Sequence, residues 1–439
     1  MSFEAPNDDR HIAGNMRVPR PPTPYEVFMR EEEIPIYRGI GVYDIREMTL
    51  APWKRLGGRG SFIALDGLLG IKGMYVVEVP AAGELNSEKH MYEEFFIVFE
   101  GRGSTEVWRE GSSKRAVFEW GPGTLFRAPL NTWHRLINAG SSPALLLAAT
   151  NAPPVMDLYP NRQFVFENPS EYPTGFHEDD QDFFKPGTEL IPDPVHKRAL
   201  LNSNVYPDII NCEMPLDNQR APGYRRIQPG FRGLEHQMNG FIAEYPAGRY
   251  STGHGHGSEA VLVCLKGQGY SYCWPQSIGV RPWEVGKGEM VREQRYKEGG
   301  LITAAPGGGT WFHQHFGIAK ERFRLINYWG GGRFPRRQPA TPAASWSTST
   351  STSKRVAATS TTRARTLTSA STSPKSWRRS AACPKCPNPC ISHPIGSRHD
   401  IRVKWRRHVR PASDGCPWPG GSGEPASQQP HASPLVLLR

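Results

Sequence analysis

Short apolar runs separated by glycine, proline and polar residues fill the chain between about residues 61 and 334. Runs of this kind, bounded by turn-forming residues, are typical of β-strands. The 45 glycines and 41 prolines of the 439-residue chain suit many short strands and turns. We therefore predict strands over about residues 61–166 and 236–334. In the last of these strands, Arg322 and Arg324 are expected to be outward-facing charges.

The residues before each run of strands predict a packing arm. Pro24, followed by acidic residues, predicts a short helix over residues 24–33. The arm that follows, residues 34–60, offers four apolar anchors, namely Ile36, Tyr37, Tyr43 and Trp53. Residues 202–232 precede the second run of strands as residues 37–60 precede the first. We therefore expect a second arm there, within an ordered connection that contains some short helix.

A cluster of polar residues lies within the first run of strands. Glu88, His90, Tyr92 and Glu94 occupy every second position, and such side chains share one face of a strand. We therefore predict that all four point inward. Two carboxylates and an imidazole are costly to bury unless something binds them. A divalent metal is the usual partner, and His134 is expected to reach it from a second strand.

The chain contains an internal repeat of about 165 residues. The sequence Tyr-Val-Val-Glu-Val-Pro-Ala-Ala-Gly at residues 75–83 matches Phe-Ile-Ala-Glu-Tyr-Pro-Ala-Gly at residues 241–248. The same interval relates Gly101 to Gly267, Gly103 to Gly269, Trp108 to Trp274 and His90 to His256. A repeat of this length predicts that one fold unit occurs twice.

These features resemble the cupin family, and in particular a bicupin, in which one polypeptide carries two jelly-roll barrels. The family's first motif is Gly-x5-His-x-His, three or four residues, Glu, six residues and Gly. Its second motif is Gly-x5-Pro-x-Gly-x2-His-x3-Asn, which residues 123–138 fit, with Asn131 where glycine is usual. In the first motif Glu88 takes the place of the first histidine. The resemblance thus implies a first ligand set of Glu88, His90, Glu94 and His134, with Glu88 either a ligand or a hydrogen-bonding partner of one.

The second half fits the same motifs differently. Gly248-x5-His254-x-His256 is intact, but Ala260 stands where the family has Glu. The adjacent Glu259 would point to the opposite face of the strand. The second motif opens at residues 300–308, and its histidine is His313 or His315. We prefer His313, which lies in register with the family's spacing. The resemblance therefore implies a three-histidine set of His254, His256 and His313.

The resemblance implies an all-β fold of two tandem barrels and three classes of function. The first is a non-haem Fe(II)-dependent dioxygenase resembling the gentisate-dioxygenase-like bicupins, acting on a small aromatic or hydroxylated acid. Its chemistry is expected in the second barrel, because a neutral three-histidine set leaves the ion its full charge. In such an enzyme His315 would act as an acid or base or replace His313 as a ligand. Tyr92, on the inward face of barrel one, would line the site or orient a substrate, or else belong to the core.

The second class is a Mn- or Zn-dependent hydrolase, decarboxylase or isomerase that uses the first barrel. In such a site Mn, Zn or Ni acts as a Lewis acid. The third class is a non-enzymatic binding or storage-type bicupin with a structural metal. The barrel fold by itself does not decide between the three classes.

The charge of the chain is unevenly distributed. The net charge is +11, but residues 335–439 hold 17 Lys and Arg against three Asp and Glu, which leaves residues 1–334 near −3. A mildly acidic globular part gives no reason to expect a nucleic-acid partner. No apolar run approaches membrane-spanning length, and residues 1–9 lack the apolar core of a secretion signal. We expect a cytoplasmic protein with a small-molecule substrate and no membrane partner, and we leave open a homo-oligomer.

Five segments follow from these patterns. They are an N-terminal arm (1–60), barrel one (61–170), an inter-barrel connection (171–235), barrel two (236–334) and a disordered basic tail (335–439). The tail has no apolar period able to bury a core. Its alternating Ser-Thr run also suggests a reading-frame shift soon after Phe334, because a GTCGAC-type repeat encodes Val-Asp in one frame and Ser-Thr in the next.

Overall fold

The computed structural model describes residues 21–171, 175–192, 198–218, 222–231, 238–255, 260–307 and 311–328, together with the backbone of 10–13, 16–19 and 329. All of these residues belong to one compact unit, Met1–Trp405. The predicted basic tail at 335–439 lies outside the described residues. So do His256, Glu259 and Gly308.

Short strands dominate the structure. In chain order they are β1 Arg10–Ala13, β2 Met16–Pro19, β3 Ile36–Gly39, β4 Gly41–Val42, β5 Ala51–Pro52, β6 Arg59–Leu65, β7 Gly73–Val79, β8 Glu94–Glu100, β9 Gly103–Trp108, β10 Ala116–Trp120, β11 Leu125–Ala128, β12 Trp133–Asn138, β13 Ala144–Thr150, β14 Leu190–Pro192, β15 Ala199–Asn202, β16 Val205–Tyr206, β17 Arg225–Gly230, β18 Asn239–Tyr245, β19 His254–Gly255, β20 Val261–Lys266, β21 Gln268–Pro275, β22 Arg292–Lys297, β23 Leu301–Thr303, β24 Trp311–Gly317 and β25 Phe323–Trp329.

Helices are few and short in the described ranges. They are α1 Pro24–Glu31, α2 Ala152–Leu158 and α3 Arg162–Phe166, with 3-10 turns at Ile45–Glu47, Gln276–Ile278 and Gly288–Met290. The predicted helix after Pro24 is confirmed, and a capping box between Thr23 and Glu26 fixes its start. None of these helices has the length and apolar character needed to cross a lipid bilayer.

Each half of the fold combines a large sheet with a small one. In barrel one the large sheet has the order β16-β11-β8-β13-β7-β6-β3, with β5 also on β6, and the small sheet is β10-β9-β12. In barrel two the large sheet is β14-β15-β17-β18-β25-β20-β23-β4, and the small one is β19-β24-β21-β22. The strand order of the second half repeats that of the first. The predicted all-β, two-barrel fold is therefore confirmed.

The two arms exchange strands between the barrels. Strand β4 pairs with β23 of barrel two, and its repeat-equivalent β16 pairs with β11 of barrel one. Likewise β3 runs parallel to β6, as β15 does to β17. The expected equivalence of the two arms thus appears as a reciprocal pairing, in which each arm closes the edge of the other barrel.

Three apolar clusters form the core. One fills barrel one and includes Phe96 and Val98, and one fills barrel two and includes Leu262. The third lies between the large sheets and takes the alternate positions, such as Phe95 and Ile97 from β8. Because successive strand side chains point to opposite faces, strands buried on both faces read as continuous apolar runs.

Several sequence predictions about local structure are wrong. The strands of barrel one end at Thr150 rather than near residue 166, and α2 and α3 follow. The part of the connection after residue 166 that the structure describes contains strands and no helix. Trp53 is buried as expected, but Tyr37 and Tyr43 are exposed.

The prediction that Arg322 and Arg324 both point outward holds only for Arg322. Arg324 is buried and donates to Glu244 on the neighbouring strand β18 and to the backbone oxygens of Ile209 and Cys212. The buried guanidinium is satisfied there by a carboxylate and two backbone carbonyls.

Candidate metal centre

The polar cluster of barrel one does not lie on one continuous strand, as the alternation predicted. Strand β8 begins only at Glu94, and the preceding residues form an irregular segment. This segment runs beside β12, where Glu88 and His134 exchange both backbone hydrogen bonds, at 3.0 and 2.8 Å. Backbone pairing with β12, rather than strand parity, therefore brings Glu88 and His134 together.

Four side chains nevertheless converge inside barrel one. The ligand atoms of Glu88, His90, Glu94 and His134 all lie within 4.8 Å of one another. Oε2 of Glu94 lies 3.1 Å from Nε2 of His90 and 3.5 Å from Nε2 of His134. Oε1 of Glu88 is 3.8 Å from the same His134 atom. This group is able to hold one metal ion.

The inner three side chains are held by their outer hydrogen bonds. Nδ1 of His90 contacts the backbone oxygen of Tyr92 at 2.8 Å, and Nδ1 of His134 contacts that of Thr132 at 3.2 Å. A carbonyl oxygen only accepts, so Nδ1 carries the hydrogen and Nε2 presents a lone pair to the centre. The Tyr75 hydroxyl donates to Oε1 of Glu94 at 2.6 Å, which leaves Oε2 for the centre.

The opposite charges of the group stabilise each other. Burial alone would raise the pKa of Glu94, but the imidazoles of His90 and His134 lower it below its usual value. Burial alone would lower the pKa of His134, but Glu94 and Glu88 raise it. Without a metal, the raised pKa of His134 favours a proton on that ring beside the two carboxylates. A divalent ion would replace that proton.

One atom indicates how the group would accept a metal. Nε2 of His134 is buried and has no hydrogen-bond partner, because Glu94 at 3.5 Å is too distant. Native structures rarely leave buried polar atoms unsatisfied. Imidazole and carboxylate ligands suit first-row divalent ions such as Fe, Mn, Ni and Zn.

Tyr92 occupies a supporting position. Its ring stacks on His90 at a centroid distance of 3.7 Å and an angle of 3°. Burial raises its pKa well above the usual tyrosine value, and Glu88 and Glu94 raise it further. Its predicted role in orienting substrate remains a prediction. Sequence reasoning missed Tyr75 and Arg55, which contact Glu94 and Glu88 from strand β7 and the arm.

Asn131 explains how the second motif tolerates its departure from glycine. Its φ is 52°, a left-handed conformation that Asn adopts more readily than most residues. Its amide nitrogen donates to the backbone oxygens of Asn168 and Ser170. The turn that presents His134 is therefore kept without glycine.

In barrel two the structure brings His254 and His313 together. Their Nε2 atoms are 3.1 Å apart, and they pair between β19 and β24 as Glu88 and His134 pair in barrel one. His313 is thus the structural equivalent of His134. The third predicted ligand, His256, lies outside the described residues, so the three-histidine set remains a prediction.

His315 lies beside this pair in a different setting. Its Nδ1 contacts the Ser271 hydroxyl at 2.6 Å, and that hydroxyl contacts the Tyr296 hydroxyl at 2.7 Å. Its ring centroid is 5.2 Å from that of His313 and 6.4 Å from that of His254. Its predicted catalytic role also remains a prediction.

Part of the chain matches a known protein family. Residues 75–150 match the cupin domain family, and no curated protein matches the chain. Solved structures similar in fold include a deletion mutant of Bacillus subtilis oxalate decarboxylase (9% identity, 67% of this chain, 77% of that chain, TM-score 0.40). Hazelnut (Corylus avellana) vicilin is another (11% identity, 66% of this chain, 85% of that chain, TM-score 0.39). AerE from Microcystis aeruginosa is a third (10% identity, 66% of this chain, 98% of that chain, TM-score 0.38).

At these identities and TM-scores the similarities say nothing about a reaction. The family match covers residues 75–150 of barrel one, and the second half repeats the strand order and pairing of the first within the same chain. The chain therefore contains a cupin domain in its first half, and the structural repeat gives it a two-barrel, bicupin-type fold.

Proposed function

We propose that barrel one binds one divalent first-row metal ion and that the protein uses it to act on a small-molecule substrate. One observation carries this proposal. The buried Nε2 of His134 has no hydrogen-bond partner, while Nε2 of His90 and Oε2 of Glu94 face the same space. An unsatisfied buried polar atom costs about 1–3 kcal/mol. A metal ion would give all three atoms a partner at once.

Iron is the ion that we propose, with Mn, Zn or Ni as alternatives. Two imidazoles and one carboxylate, here His90, His134 and Glu94, are typical of non-haem Fe(II) oxygenases. Bound Fe(II) supplies a centre at which oxygen and a chelating substrate can meet. Glu94 cancels one of the two charges of the ion, and the remaining charge favours an anionic substrate. The reaction class we propose is dioxygenation of a small aromatic or hydroxylated acid.

This proposal moves the oxidative chemistry from barrel two to barrel one. The sequence predicts it in barrel two, because a neutral three-histidine set leaves the ion its full charge, whereas four ligands that include two carboxylates would nearly neutralise an ion in barrel one. In the structure Glu88 forms an ion pair with Arg55. Its charge is therefore already balanced, and the reason for excluding barrel one no longer holds.

The protein's own groups would hold the three metal ligands in place. The carbonyl oxygens of Tyr92 and Thr132 fix the two imidazole rings, and the Tyr75 hydroxyl fixes Glu94. His90, Glu94 and His134 are each at most 2% exposed. Such a centre excludes bulk water and strengthens its electrostatic interactions.

Glu88 favours a second candidate function. Its Oε1 lies 3.8 Å from Nε2 of His134, and a second carboxylate ligand would neutralise a divalent ion. A neutral centre with Mn, Zn or Ni suits Lewis-acid chemistry better than oxygen activation. The protein would then be a decarboxylase, hydrolase or isomerase.

Metal analysis and oxygen uptake distinguish these functions. We expect His134→Ala to lose one equivalent of metal per chain, whereas His177→Ala, at an exposed position, should lose none. The Fe(II)-loaded chain should consume oxygen with a hydroxylated aromatic acid, and His134→Ala should not. Unchanged metal content in His134→Ala would refute the centre. Turnover with Mn or Zn but without oxygen uptake would favour the second function.

Two further predictions remain part of the proposal. Barrel two binds a second ion through His254, His256 and His313, which metal analysis of a His254→Ala variant tests. The bicupin forms a homo-oligomer, which light scattering of the purified chain tests.

A further inference from the structure

Glu88 differs from the other three members of the barrel-one group. The side chains of His90, Glu94 and His134 are at most 2% exposed, whereas that of Glu88 is 12% exposed. Its Oε2 accepts a hydrogen bond from Nη1 of Arg55, and only Oε1 faces His134, at 3.8 Å. Glu88 thus lies on the most open side of the centre, with one oxygen already bound to a cation.

Arg55 is held firmly in this position. Its Nε donates to Oε2 of Glu32 at 2.9 Å. Glu32 also accepts from Nε1 of Trp53 at 2.5 Å and from Nη2 of Arg162 at 2.8 Å. These contacts keep the guanidinium from following Glu88 if that side chain moves toward the centre.

Aromatic rings enclose the same guanidinium. Its carbon lies 5.1 Å from the ring centroid of Trp53, 5.4 Å from that of Phe166 and 5.6 Å from that of Phe28. A cation over aromatic faces within about 6 Å is attracted by the rings. The arm, α1 and α3 therefore build a fixed cationic site beside the metal group.

A fixed guanidinium competes with a metal ion for Glu88. A carboxylate bound to Arg gives up part of its negative charge to that charge-assisted hydrogen bond, and it must leave this partner before both oxygens can bind an ion. Glu94 has no such competitor, because its partner is the neutral hydroxyl of Tyr75. The two carboxylates are therefore unequal ligands.

We propose that Arg55 withholds Glu88 from the metal and so fixes the centre at three protein ligands. This inference rests on the proposed metal centre of barrel one. It makes Arg55 a positioning residue, since it acts through Glu88. It also leaves Glu88 beside the open coordination positions, where an incoming ligand would meet it.

Cobalt(II) is a suitable probe, because its visible absorption reports the number and type of ligands. The full chain and the variants Glu88→Gln, Arg55→Gln, Arg55→Lys and Arg55→Gln/Glu88→Gln would be titrated with Co(II), and the spectra and affinities compared. We expect Glu88→Gln alone to leave both unchanged. Arg55→Gln should shift the spectrum and raise Co(II) affinity, because Glu88 is released to bind. The double variant should return to the original spectrum, and Arg55→Lys, which keeps the charge, should show little change.

Each other outcome has a definite meaning. If Glu88→Gln shifts the spectrum and weakens binding in the otherwise unaltered chain, Glu88 is already a ligand, and the inference fails while the metal centre stands. If Arg55→Gln binds Co(II) with an unchanged spectrum, Arg55 does not withhold Glu88, and the inference fails while the metal centre stands. If the chain binds no Co(II) that is lost in His134→Ala, the centre and the inference fail together.

Discussion

Replacing Tyr75 by Phe tests whether Glu94 is an oriented ligand. The substitution deletes one hydroxyl, which donates to Oε1 of Glu94 at 2.6 Å inside the barrel. Burial raises the pKa of Tyr75 well above its usual value, and the charge of Glu94 raises it further, so the hydroxyl stays a donor. The ring itself, packed edge-on against Trp53 at 5.1 Å, is retained. Phe241, at the repeat-equivalent position, is buried without a hydroxyl.

The expected magnitude follows from this one hydrogen bond. A buried hydrogen bond to a charged group contributes about 1.5–3 kcal/mol, so the metal-free variant should lose about 2 kcal/mol of stability. Removing a partner that orients a metal ligand costs about 10–100-fold in affinity. Tyr75→Phe should therefore bind metal in barrel one at least about tenfold more weakly.

Calorimetry and a competition titration against a chromophoric chelator measure the two effects. Tyr206→Phe is a matched control, because its hydroxyl donates to the backbone oxygens of Leu201 and Gly230, away from the metal group. The control should lose stability but keep its metal affinity. If Tyr75→Phe keeps full affinity while its stability falls, the hydroxyl stabilises the fold only, and Glu94 is not the oriented ligand we describe.

Three further predictions concern other parts of the molecule. The pKa of His134 is raised, and a metal ion must displace the proton of this ring. Metal affinity should therefore fall as the pH drops, and the fall should begin above the ordinary histidine pKa of about 6.5. A metal affinity that stays constant between about pH 8 and 6 in chelator competition would contradict this. Arg324→Met should lower the free energy of unfolding by about 3 kcal/mol in denaturant titration, because it breaks a buried ion pair with Glu244. The control Arg322→Met, at an exposed position, should lower it by less than about 1 kcal/mol. Equal losses in the two variants would contradict this prediction. Truncation after Pro335 should leave the melting temperature and metal content unchanged, because the closing strand β25 ends before it; loss of metal would show that the tail contributes to a barrel.

The sequence determined the repeated architecture and the identity of most residues in the metal group. Residues 75–83 and 241–248 match in sequence and become β7 and β18 with the turns that follow, at equivalent places in the two sheets. Glu88, His90, Glu94 and His134 converge as their motif spacing predicted. Repeats and motif spacings are local or periodic features, so they can be read from a single amino-acid sequence without the folded structure.

Only the tertiary structure decided how these residues are held. The predicted strand parity of residues 88–94 is wrong, because the pairing of Glu88 with β12 positions the segment. The exchange of β4 and β16 between barrels and the burial of Arg324 likewise depend on partners far away in the chain.

The same holds for the ligand count of the centre. The motif spacing leaves open whether Glu88 is a ligand or a hydrogen-bonding partner of one. The structure adds that Arg55 contacts Glu88 and Tyr75 contacts Glu94. Both partners come from elsewhere in the chain, with nothing in their own spacing to mark them. The charge that a carboxylate can offer an ion depends on which groups surround it, and that environment exists only once the chain has folded.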